Sequence, residues 1–202
     1  MYLFVSPMSI DKIIVCGPPL AWKSTLSRML AEQLWLSHIP VDWFVTAFQH
    51  AFQELGIQHD SVVSLDTWKS VASRLYPFLC NFIKELDEQA SYWWYVIEWF
   101  HIDVEQIVRD FRHSHTLVVV WYPQISWEEK FTLTRKYDSD NWTNDCNDQE
   151  LQQLIWLFIE LSTYFSRVAS DNALDCIDTS IERNTALQVW IDSYKQQISS
   201  AV

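Results

Sequence analysis

Glycine is nearly absent. The chain of 202 residues carries 2 glycines, where average usage of about 7% would supply roughly 14, so its tight turns must be made by other residues. Positive charge is scarce too: 14 Lys and Arg against 26 Asp and Glu leave a net charge of −12. No basic block relieves it, which argues against nucleic acid or an anionic membrane as a partner, and any phosphate ligand must be held by a local device. The four cysteines (Cys16, Cys80, Cys146, Cys176) lie far apart with no CxxC spacing, which argues against a zinc cluster, gives no disulfide framework and points to a reducing cytoplasm. No apolar run approaches the roughly 18 residues of a membrane span. The opening MYLFVSPMS lacks the basic start and the length of a signal peptide, and Met8 serves as a start as well as Met1.

What is present is an ordinary globular core, with 49% hydrophobic residues in a length that suits one domain over 1–202. Strand and helix patterns alternate, as in an α/β protein with a parallel sheet. Unbroken apolar runs predict strands at Lys12–Cys16, Tyr95–Glu98 and Thr116–Trp121, with shorter ones at His38–Asp42 and Ala173–Asp178. Helical spacing predicts helices over Ser24–Leu36, Trp43–Leu55, Leu65–Gln89, Val104–Arg112, Ser126–Tyr137, Gln149–Ala169 and Ile181–Ile198. Pro77 is expected to kink or split the third of these. Loops are expected at Gly56–Ser64 and Asp138–Asp148.

Residues 17–25 read GPPLAWKST between an apolar strand and a helix, the context a phosphate-binding loop of pattern GxxxxGK[ST] requires. Gly17, Lys23 and Ser24 match, while Trp22 stands where the second glycine belongs. In such a loop the backbone N–H groups of Gly17, Leu20, Ala21, Trp22, Lys23, Ser24 and Thr25, with Pro18 and Pro19 shaping the turn, cradle phosphates at a helix N-terminus. Lys23 reaches the outer phosphates, Ser24 ligates magnesium and Thr25 steadies the helix start. The alternative is a plain strand-to-helix turn.

With that loop, VD at Val41 and Asp42, VIEWFHI at 96–102, VVVWYP at 118–123, EEKFTLTRKYD on the helix near 130 and DTS at 178–180, the chain resembles the P-loop kinase superfamily over most of its length. The resemblance is to its small-molecule and nucleoside monophosphate kinase branch, which includes adenylate kinase-like and 2-phosphoglycerate kinase-like chains. It implies a three-layer fold with five parallel strands ordered 2-3-1-4-5, ATP and Mg2+ as cofactors, and transfer of the γ-phosphoryl group to a small-molecule acceptor. It also implies an acceptor-covering helical region at 65–90 and a lid at 126–148. Asp42 would then orient or deprotonate the acceptor hydroxyl, or else cap the following helix. Glu98 would hold magnesium or bind the acceptor, although the pattern usually has Asp there; a structural hydrogen bond is its alternative. Of the lid residues Lys130, Arg135 and Lys136, Arg135 is chosen by position to close on phosphates. His59 and His101 are minor candidates for the acceptor site, and Arg28 and Arg74 sit within helices. A non-catalytic relative that has lost nucleotide binding, and an NTP hydrolase, are the rival readings. Oligomeric state is not legible.

The 12 tryptophans are as abnormal as the missing glycines. Trp22 lies in the phosphate cradle, Trp35 at a helix end, Trp99 directly after the third strand, Trp121 at the end of the fourth, and Trp93 or Trp94 before the third. Each is a place where glycine is wanted. The pattern leads to the expectation that UGA codons meaning glycine in the source are here read as tryptophan, an idea that UGG at codons 22, 99 and 121 would end. Trp43, Trp68, Trp127, Trp142, Trp156 and Trp190 fit as ordinary tryptophans.

Overall fold

The computed structural model describes residues 12–55, 63–89, 94–122, 125–137, 142–180 and 182–200. His59, Trp93 and much of the two expected loops lie outside the described residues. Strand β1 (Lys12–Cys16) is followed by α1 (Lys23–Leu34), β2 (Ser37–Pro40) and α2 (Asp42–Ala51). Then come α3 (Leu65–Gln89), β3 (Tyr95–Trp99), α4 (Val104–Phe111), β4 (Thr116–Trp121), α5 (Trp127–Tyr137), α6 (Asp148–Asp171), β5 (Asp175–Asp178) and α7 (Arg183–Ser200). Short 3-10 turns occupy Gln53–Leu55 and Trp142–Asp145.

All five strands are parallel in the order β2-β3-β1-β4-β5, as the resemblance implied. The order follows burial. β1, β3 and β4 are nearly all Val, Ile, Leu and aromatic residues and take the centre, while β2, with Pro40 at its end, and the acidic β5 take the edges where fewer ladder bonds are needed. In β1 Ile13, Ile14 and Val15 have no exposed surface. Helix α1 buries Leu26 and Leu30 on the sheet, and Trp68, Leu75 and Leu79 carry the apolar face of α3.

Several boundaries differ from the sequence reading for local reasons. α3 remains one helix through Pro77, because that ring is exposed and the carbonyl deprived of a donor belongs to exposed Ser73. β2 ends at Pro40 because Val41 already turns helical as the cap of α2, which moves Asp42 from a strand end into the first turn of α2. β5 starts late because Ala173 takes a left-handed conformation (φ 51°) and Leu174 N–H bonds back to Ala169 O, closing α6. At the start of α6 Asn147 and Glu150 form a reciprocal capping box.

A polar cluster sits inside the N-terminal rim of the sheet. His115 approaches Tyr95 Oη at 2.8 Å, Ser114 Oγ at 2.9 Å and Asp87 at 3.6 Å, with Lys12 paired to the same Asp87 at 2.7 Å. Burial pushes the His115 pKa down to about 4 against the pull of Asp87. The folded protein therefore binds fewer protons here than the unfolded chain. Stability is full above the unfolded value near 6.5 and falls as pH drops toward 4. Thermal melts from pH 7 to 4 are expected to show this decline, and His115→Gln to flatten it; an unchanged slope in the variant assigns the decline to other groups.

Candidate functional site

The carboxyl ends of parallel strands face the crevice in sheets of this type, and here they gather the sequence motif. Gly17 leaves β1 with φ 148°, and a Cβ at that position would lie 2.0 Å from Val120 O of β4. The loop then turns through Leu20 (φ 58°) and Trp22 (φ 69°), both left-handed, and enters α1 at Lys23. A side chain other than glycine pays about 1–2 kcal/mol per left-handed residue. The loop meets that cost with external bonds: Pro18 O accepts from Lys23 Nζ at 2.9 Å, Pro19 O from Tyr122 Oη at 2.9 Å, and Leu20 O from Lys130 Nζ at 2.7 Å. A hydrogen bond from a charged donor is worth about 1.5–3 kcal/mol, enough to offset one such residue.

Lys23 is buried at the helix start. Burial pushes its pKa below the ordinary lysine value, while Asp42 and Glu98 act the other way. Glu98, at the end of β3, is buried as well. Burial raises its pKa, but His38, Lys23 and Ser24 outweigh that and hold it below the usual carboxylate range. His38 Nε2 of β2 lies 3.3 Å from Glu98 Oε1 without hydrogen-bond alignment, and Glu98 Oε2 is buried with no hydrogen-bond partner.

An open cleft of about 1340 Å³ reaches Lys23, while Glu98 and His38 do not line it. Its walls are the phosphate loop, the starts of α1 and α2 and, opposite them, the segment from Trp142 through the first half of α6. Lys23, Ser24, Thr25 and Asp42 line it together. Asp42 lies in the first turn of α2, lines the cleft near Lys23 and accepts from Phe100 N–H at 3.5 Å. Arg28, expected only to decorate α1, lines the cleft beside Ser24, whose carbonyl it bonds at 3.1 Å. No residue of α3 lines it, although 65–90 was expected to cover the acceptor.

The basic residues of α5 divide differently from the expectation. Arg135 donates to Thr143 O, Cys146 O and Asp148, tying α5 to the turn before α6, and does not line the cleft. Lys130 is the one at the phosphate loop. His101 is buried beside Phe100, and Arg74 is exposed on α3, outside the cleft lining. The sequence reading missed His38, Tyr122 and Arg183, whose guanidinium lies 3.9 Å over the Trp22 ring. Tyr122 had a usable signal: it directly follows a buried parallel strand at the crevice end.

No family model matches the chain, and no curated protein matches it either. Solved structures do. Shikimate kinase from Bacteroides thetaiotaomicron superposes with a TM-score of 0.54 at 16% identity, over 93% of this chain and 99% of that one. Shikimate kinase from Acinetobacter baumannii, in complex with shikimate, gives 0.52 at 18% identity, over 90% and 92%. The fold is that of the P-loop kinases.

Within the P-loop kinase fold the donor set suits a nucleotide and magnesium. The N-terminus of α1 and the Lys23 amine offer positive potential to phosphate oxygens. The orphaned Glu98 oxygen near Ser24 suits the single protein carboxylate that magnesium commonly takes alongside substrate phosphates. Among the described residues there is no group of three or more His, Cys, Asp or Glu that would hold a metal unaided, and no helix long and apolar enough to cross a membrane. Gly17→Ala is expected to destabilise the protein by about 3 kcal/mol or more, since backbone must move to admit the methyl group. Urea unfolding measures it; a loss below about 1 kcal/mol would show that the loop relaxes freely.

Proposed function

We propose that the chain is an ATP-dependent kinase that transfers the γ-phosphoryl group to a hydroxyl of a small-molecule acceptor, with Mg2+. The observation that carries this reading is that Lys23, beside Asp42 and Glu98, lines one open cleft together with Ser24, Thr25 and Asp42. Phosphoryl transfer needs charge, a metal and an oriented nucleophile more than covalent help from the protein. Bound magnesium would neutralise phosphate charge, held by Ser24 and Glu98. Lys23 exchanges its Pro18 carbonyl for the outer phosphates. Asp42, in the first turn of α2 on the cleft wall, accepts the proton of the acceptor hydroxyl, and Arg28 suits an acceptor with an anionic group. The cleft wall from Trp142 into α6 excludes water when the acceptor is bound.

A second reading, a P-loop fold without nucleotide binding, is favoured by one observation: the Trp22 indole lines the same cleft. Calorimetric titration of Mg-ATP into the chain and into Trp22→Gly separates the two. Binding by Trp22→Gly is expected, with Lys23→Met in that background weakening it about 10- to 100-fold. Asp42→Asn is expected to retain ATP while slowing acceptor-dependent ADP release by about 10²- to 10⁴-fold. No binding by either form overturns the kinase, and ADP release that ignores every acceptor makes the protein a hydrolase.

The tryptophan pattern belongs to the same proposal: the gene specifies glycine at positions 22 and 35. Among the described residues five non-glycine residues have positive φ, and two of them are Trp22 and Trp35, although such conformations are outliers for bulky residues. Trp35 closes α1 at φ 58°, where glycine is the usual cap, with its side chain 88% exposed. Trp99 is fully buried with its indole N–H unpartnered, which fits the same origin. Trp68 and Trp190 behave as true tryptophans: their N–H groups reach Phe100 O and Asp175, and their rings pack on aromatic neighbours. Peptide mass spectrometry of the protein from its natural source is expected to find glycine at 22 and 35 and tryptophan at 68 and 190. Tryptophan at 22 or 35 removes the idea.

A further inference from the structure

The phosphate loop contains one glycine and two prolines, so it lacks the freedom by which glycine-rich loops settle around an anion. Its geometry is imposed from outside. In a trans peptide the C=O of one residue and the N–H of the next point in opposite directions. A donor that holds the Pro19 carbonyl therefore aims the Leu20 N–H the other way, and one that holds the Leu20 carbonyl aims the Ala21 N–H. The corresponding bond at Pro18 aims nothing, because Pro19 has no N–H.

The donors at the two productive carbonyls are Tyr122 Oη and Lys130 Nζ. They come from the residue after β4 and from α5, 103 and 110 positions away from their acceptors. They also act as one unit, since Lys130 Nζ lies 3.9 Å from the centre of the Tyr122 ring. Both are buried, and neither lines the cleft, whereas Pro19 and Leu20 do. Burial keeps the Tyr122 pKa well above its ordinary value, so the hydroxyl remains a donor.

We propose that Tyr122 and Lys130 are positioning residues of the phosphate site, holding the Pro19 and Leu20 carbonyls so that the Leu20 and Ala21 N–H groups face a bound polyphosphate. This rests on the kinase reading above and adds to it a brace from the far side of the loop, at the Pro19 and Leu20 carbonyls. It also explains why a lysine of the expected lid is buried under the loop.

The test uses the full chain with Trp22→Gly as parent, and the same chain carrying Tyr122→Phe or Lys130→Met. Mg-ATP and magnesium triphosphate are titrated calorimetrically, and amide exchange of the ligand-free forms is followed at Leu20 and Ala21 and across β3. Tyr122→Phe keeps the ring under Lys130 and removes only the hydroxyl bond. Each variant is expected to weaken both ligands about 5- to 30-fold, the loss of one hydrogen bond, with faster exchange confined to the loop. Affinities equal to the parent's overturn the brace and leave the phosphate site standing. Faster exchange throughout β3 reduces the contacts to general packing and overturns it as well. A parent that binds neither ligand removes the kinase reading, and the brace with it.

Discussion

The approach of Gly17 to the Val120 carbonyl is the constraint on which the site depends. Because a Cβ would sit 2.0 Å from that oxygen, only glycine lets the chain leave β1 pressed against β4. That contact sets where the loop begins, which in turn sets where α1 points and where Lys23 is buried. One residue without a side chain thus fixes the course of the loop at the carboxyl edge of the sheet.

Charge does the next part. A protein with a net charge of −12 repels polyphosphates at long range, so attraction must be local and sheltered. Lys23 is buried near Asp42 and Glu98, two carboxylates that act against the desolvation lowering its pKa. In the kinase reading proposed above, the same carboxylates would serve the acceptor hydroxyl and the metal. His38, which comes from the edge strand β2, helps keep Glu98 ionised.

The two sides of the loop have different tasks. The cleft side presents Ser24, Thr25 and Asp42, while the far side is held by Tyr122 and Lys130 from elements later in the chain. Helix α5 is accordingly fastened at both ends, by Lys130 to the loop and by Arg135 to the turn before α6. A lid in this protein would have to hinge beyond those bonds.

The sequence by itself determined the five strands, their parallel class and the strand–loop–helix turn at 17–25, because apolar runs of strand length and a strand–loop–Lys-Ser–helix spacing are local properties. It also marked positions 22, 35, 99, 121 and 93 or 94 as places that want glycine, and among the described ones only 22 and 35 have left-handed backbone. It did not reveal that Lys130 rather than Arg135 reaches the loop, that Tyr122 braces Pro19, or that His38 stands beside Glu98. Those pairings join residues brought together by strand order and helix packing, with separations as large as 110 positions. Only the tertiary structure decided them, because a side chain's partner across such a distance is set by which elements pack together and not by the pattern around it.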